Sequence, residues 1–115
     1  MISRWINEVK KSADPEELGM ILMHNGVVRG TSKYGDAVQG MKLHFDEDKL
    51  ITLVNKYKKN EGIVDIKAWV NSGELHVGDD IMYLMVAGRF RTDILPTFEL
   101  VLSAIKKEIV TEQEI

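Results

Sequence analysis

Three cations in this chain stand where they can meet an anion or act as a base or nucleophile: Arg29, Arg91 and Lys106. Arg29 closes an apolar segment and is followed by Gly30-Thr31-Ser32, which sets a guanidinium beside backbone N–H groups and two hydroxyls. Such donors suit a phosphate or a carboxylate. Arg91 ends the run Arg89-Phe90-Arg91. Strand alternation would place both arginines on one face at a helix entrance, where the helix dipole also favours anions. Lys106 borders an apolar helical stripe, where partial desolvation would make its amine usable as a base or nucleophile. Each has an ordinary alternative. Arg29 can be a strand-end arginine in water, one of the doublet can snorkel while the other pairs with Asp93, and a lysine in a last helical turn favours the dipole without further purpose.

Other chemistries lack their residues. The chain has no cysteine, which removes disulfides, thiolate metal sites and a cysteine nucleophile together. His24, His44 and His76 are far apart and in no metal-ligand spacing, so no metal site and no resident cofactor are expected. No phosphate-binding loop, dinucleotide fingerprint or nucleophile elbow is present. Any sulfur chemistry would have to use sulfur brought by another molecule.

Composition sets the frame. A chain of 115 residues, 44% hydrophobic and 29% charged, is read as a single globular domain over 1–115. A formal charge of −3 argues against a general nucleic-acid binder. No apolar run approaches the roughly 20 residues of a membrane helix, and the start Met1-Ile-Ser-Arg-Trp-Ile lacks a signal-peptide core. A cytoplasmic location is the default expectation.

The elements that must position the cations follow from periodicity. Ile2, Trp5, Ile6 and Val9 predict a helix over 2–11. Asp14-Pro15 opens a single helical turn ended by Gly19. Residues 20–29 predict a strand with a bulge at Gly26. After the polar loop 30–36, Ala37, Gln39, Met41, Leu43 and Phe45 fall on one face of a second strand. Asp46 caps a helix through Asn60, closed by Gly62. Residues 64–91 predict a strand, a short strand and a third strand in succession, the last almost wholly apolar over 81–87 and so covered on both faces. A final helix starts near Thr92 or Asp93 with Pro96 in its first turn. Its stripe is Ile94, Leu95, Phe98, Val101, Leu102, Ile105 and Ile109, and the tail 111–115 is expected to fray. The order α, β, β, α, β, β, β, α gives an α+β domain on a mostly antiparallel sheet with flanking helices.

In order, Gly19-Met-Ile-Leu-Met-His-Asn-Gly-Val-Val-Arg29, Ser72-Gly-Glu-Leu-His-Val-Gly-Asp-Asp80, the strand ending in Arg91 and the helix ending in Ile-Lys-Lys-Glu108 resemble the large, catalytic subunit of molybdopterin synthase. The resemblance implies an α/β-hammerhead fold, a homodimer and a role in molybdenum cofactor biosynthesis. The partner would be a ubiquitin-like sulfur-carrier small subunit whose thiocarboxylated Gly-Gly tail delivers sulfur to cyclic pyranopterin monophosphate. Lys106 would then be the catalytic lysine, with Arg29 and Arg91 as substrate or tail contacts. Against the family pattern, Phe90 stands in place of a histidine, Val70-Asn71 in place of a His-Arg pair, and Gln113 in place of a second lysine. Two functions remain open from sequence: a sulfur-transferring synthase subunit, or a non-catalytic binding or regulatory relative that keeps the dimer and the partner groove.

Overall fold

The computed structural model describes residues 1–115. Helix α1 (Ile2–Ser12) is followed by β1 (Met20–Val27), β2 (Gly40–Phe45), α2 (Glu47–Tyr57), β3 (Ile63–Val70), β4 (Gly73–His76), β5 (Asp80–Gly88) and α3 (Arg91–Ala104). The helix then widens into a π turn, Ile105–Ile109, and runs into β6, Val110–Glu114. The expected α+β class with antiparallel pairing holds. The strands, however, divide into two three-stranded sheets, β1-β5-β3 and β4-β2-β6.

Strand β5 is the centre of the first sheet, and its alternation explains why both its faces are covered. Met82, Leu84 and Val86 face the main core with Ile94, Val101 and Ile105 of the last helix. Met85 and Ala87 face the other way and pack with Val9 of α1. Strand β1 runs antiparallel to β5 from Met20↔Gly88 to Val27↔Asp80, and its register shifts between Gly26 and Val27, the expected bulge.

The expected succession of strand, short strand and strand over 64–91 is present as β3, β4 and β5, but the three do not lie side by side in one sheet. Strands β3 and β5 pair directly, down to Val70↔Met82. Asn71 closes the ladder, its N–H donating to Ile81 O at 2.9 Å and its side-chain amide to Asp80 O at 2.9 Å. The segment between is an excursion that carries β4 away to pair with β2. Gly73 and Gly78, at φ 114° and 92°, flank it. Those angles suit glycine and explain the turns, but the sequence around them does not say which sheet β4 joins.

The tail is a second correction. Instead of fraying, Val110–Glu114 pairs with β2 from Phe45↔Val110 to Met41↔Glu114. Ile115 also exchanges backbone hydrogen bonds with Gln39 and Gly40. Its alternating Thr111, Gln113 and Glu112, Glu114 give no apolar period, so the pairing rests on backbone bonds along an open edge of β2. Other boundaries move less. Strand β2 begins at Gly40, although Met41 and Leu43 are buried as expected. Asp46 caps α2 by accepting from the Lys49 N–H at 3.1 Å, but α2 ends at Tyr57. Helix α3 begins at Arg91, earlier than expected, which puts Pro96 in the second turn. One backbone hydrogen bond is lost there.

Candidate anion-binding site

Arg29 lies just past the end of β1, in the loop that leads to β2. Its Nε donates to Thr31 O at 2.9 Å, which folds the side chain over its own loop and leaves the outer guanidinium nitrogens free. Lys106 comes from another element, the π turn that ends the last helix. The two side chains line one cavity of about 490 Å³, together with Lys33 from the loop. Val28, Met41 and Ile81 form its apolar wall. None of the three cations makes an ion pair: the salt bridges of the chain involve Lys42, Lys58, Lys67 and Arg89 instead.

The same cavity contains two carboxylates, Glu112 and Glu114, both from β6. Residues two apart on a strand share a face, so the pairing that orders the tail also puts both acids into the cavity that the cations line. Gln113, between them, points away. Sequence reasoning missed these acids because it left the tail unstructured; the alternation Glu112-Gln113-Glu114 was the available signal.

Lys106 is exposed on the cavity wall, which corrects the expectation of a desolvated amine at the stripe border. The cause is local. The widened π turn keeps Ile105 and Ile109 buried while Lys106 between them turns out to the cavity. Such turns recur at functional sites, and apolar periodicity does not reveal them.

His24 is the second residue that sequence reasoning left aside. It lies on the face of β1 that looks toward the last helix, its ring edge-on to Phe98 with centroids 6.0 Å apart. Burial pushes its pKa below the usual 6.5, and the nearby positive charge of Lys106 pushes it the same way. The imidazole is therefore neutral at pH 7.

Arg91 is not part of this cavity. Strand β5 ends at Gly88, and Phe90 caps a helix that starts at Arg91. The expected sharing of a face by Arg89 and Arg91 fails because the chain leaves strand geometry between them. Arg89 is the structural member, 3.6 Å from Asp93 and 3.7 Å from Glu61, with its guanidinium 5.0 Å from the Phe90 ring centroid. Arg91 is exposed and unpaired. Fifteen residues of helix separate it from Lys106, roughly 22 Å at a rise of about 1.5 Å per residue. His44 and His76 lie on β2 and β4, apart from both.

Two further hollows of comparable size, about 480 and 570 Å³, run along α2 and the π turn. Lys49 and Glu108 line both, and neither hollow contains the cations singled out from sequence. No helix is long and apolar enough to cross a membrane.

The fold and the cavity thus define a small α+β protein with unpaired cations grouped for an anion. Residues 3–108 match the family described as MoaE protein, and the chain belongs to that family. The chain is 30% identical over 95 residues to an uncharacterized protein of Methanocaldococcus jannaschii, covering 79% of this chain and 80% of that protein. Its fold matches the molybdopterin synthase of Staphylococcus aureus with a TM-score of 0.77 at 19% identity, over 96% of this chain and 82% of that one. It also matches the complex of subunits 1 and 2 of the molybdopterin-converting factor from Helicobacter pylori 26695, with a TM-score of 0.76 at 19% identity over 98% and 74% of the two chains.

Proposed function

We propose that this protein is the large subunit of a molybdopterin synthase, transferring sulfur from a thiocarboxylated ubiquitin-like carrier to cyclic pyranopterin monophosphate. The carrying observation is the grouping of Arg29, Lys33 and Lys106, none ion-paired, around one cavity. Both reactants are anionic where they react: a thiocarboxylate tail and a cyclic phosphate. Arg29 offers free guanidinium nitrogens for bidentate contact with an oxyanion. Lys106 offers three ammonium donors to the acyl oxygen, where negative charge develops when the carbonyl is attacked. The apolar wall of Val28, Met41 and Ile81 lowers the local dielectric and strengthens both interactions.

Arg91 joins such a site only from a second copy of the chain, because its own helix holds it far from Lys106. A homodimer in which each copy lends Arg91 to the other's cavity reconciles the family correspondence with the intrachain distance. No cofactor is required, since the sulfur is carried by the partner.

A second reading is favoured by one observation. Glu112 and Glu114 share the cavity with the cations, and Phe90 and Gln113 cannot supply the proton-transfer and charge functions of a histidine and a lysine. A non-catalytic relative would bind the carrier tail without turnover. Incubation with a thiocarboxylated carrier and the pterin precursor separates the two. Dithiolene product supports the synthase, tight carrier binding without product supports the non-catalytic relative, and no binding of a Gly-Gly-ended carrier overturns both.

A further inference from the structure

His24 lies behind the cavity wall, with Gly26 between it and Ile81. Its Nε2 lies 3.4 Å from the point where a Cβ on Gly26 would stand, and that point is 3.6 Å from the Ile81 Cβ. Ile81 is part of the cavity wall. A Cβ at position 26 would stand in ordinary contact with both the imidazole edge and Ile81, so the glycine leaves the ring one residue's thickness from the wall. Neither ring nitrogen of His24 takes part in the hydrogen bonds of the chain. The groups around the ring are Phe98 from the last helix, Leu84 opposite on β5 and Lys106 from the π turn. Lys106 is the charged one. A half-buried imidazole with free nitrogens, held neutral beside an ammonium group, has the properties of a general base.

The proposed sulfur transfer contains a step that needs such a base. Once the thiocarboxylate sulfur has bonded to a carbon of the pterin precursor, the carrier tail is joined to it as a thioester. Release requires water. The water oxygen bonds to the acyl carbon, the acyl carbon–sulfur bond breaks, and its electron pair stays on sulfur. One proton of the water must go to a base, while the other passes from the new carboxyl group to the departing sulfur. The products are a carboxylate tail, a pterin-bound thiol and a protonated base.

We propose that His24 is that base, a catalytic residue for release of the carrier, with Lys106 holding the acyl oxygen as the charge on it develops. The role rests on the synthase reading.

The test follows the complete protein in single turnover with thiocarboxylated carrier and pterin precursor, quantifying dithiolene and carrier–pterin adduct by mass spectrometry. Variants His24→Gln and His24→Phe are compared with the unaltered protein, and the melting temperature of each is measured. Expected is adduct formation at the unaltered rate in both variants, with release slowed about 100-fold or more so that adduct accumulates. Release at the unaltered rate in a folded variant overturns the role of His24 and leaves the synthase reading intact. Loss of adduct formation in folded variants likewise overturns it, since His24 would then act before the thioester exists. Absence of both adduct and dithiolene with the unaltered protein overturns the synthase reading and this role together.

Discussion

Arg29 and Lys106 line one cavity from two separate elements, one from the loop after β1 and the other from the π turn after α3, and neither is ion-paired. Like charges gathered this way repel one another, and an entering anion relieves that repulsion. Binding of inorganic phosphate or pyrophosphate, measured by calorimetry, is expected to weaken about tenfold on Arg29→Ala or Lys106→Ala, at a few kcal/mol or less per charge-assisted contact. Raising the salt concentration is expected to narrow those differences. Identical affinities for Lys106→Ala and the unaltered protein would place the anion elsewhere.

Glu112 and Glu114 oppose the same anion. Each is exposed on β6, so solvent screens its effect to a modest size. Glu112→Gln and Glu114→Gln are each expected to tighten phosphate binding by roughly two- to fivefold, and the double substitution by more. Glu108→Gln, in the hollows along α2, serves as the control. Unchanged affinity in the double variant would show that the tail does not tune the cavity.

The depressed pKa of His24 has a consequence for stability. Burial, reinforced by Lys106, lowers the folded-state value below 6.5, so between the two values the unfolded chain binds more protons than the folded one. Stability from this group is fully present above pH 6.5 and is lost as pH falls toward the lower folded-state value. Melting curves from pH 7.5 down to 5 are expected to fall less steeply for His24→Phe than for the unaltered protein. Parallel curves would mean that His24 is not desolvated in solution.

The position of Arg91 leads to a complementation experiment. If each copy lends Arg91 to its neighbour, mixing inactive Arg91→Ala with inactive Lys106→Ala protein rebuilds one intact cavity in every mixed dimer. After random exchange, dithiolene formation is expected to recover to about a quarter of the unaltered activity. Activity that stays at the sum of the two parents would mean that both residues act within one chain.

Much of this architecture was legible from period alone. The apolar run 81–87 indicated a strand covered on both faces, and Met82, Leu84, Met85 and Val86 are all buried. Asp46 announced its cap, and Gly26 its bulge. The order of strands in the sheets was not legible. Strand β4 follows β3 in sequence but pairs with β2, a choice made by long-range packing rather than by the turn glycines. The tail was misread because an edge strand held by backbone bonds needs no apolar face. At the site, the sequence pointed to Arg29 and Lys106 but gave no means of seeing that Arg91 lies at the far end of the helix that carries Lys106. His24 stands in no metal-ligand spacing and in no other motif of the sequence. Its significance comes from Phe98 and Lys106, which only the fold brings beside it.

The most direct measurement is the rate of dithiolene formation from thiocarboxylated carrier and pterin precursor, compared for the unaltered protein, Lys106→Ala and Lys107→Ala. Lys107 neighbours Lys106 on the same turn and is exposed, but it does not line the cavity. The expected result is turnover by the unaltered protein and by Lys107→Ala, with Lys106→Ala slowed by about 100-fold or more. Equal rates for Lys106→Ala and Lys107→Ala would contradict the assignment of this cavity as the site of sulfur transfer.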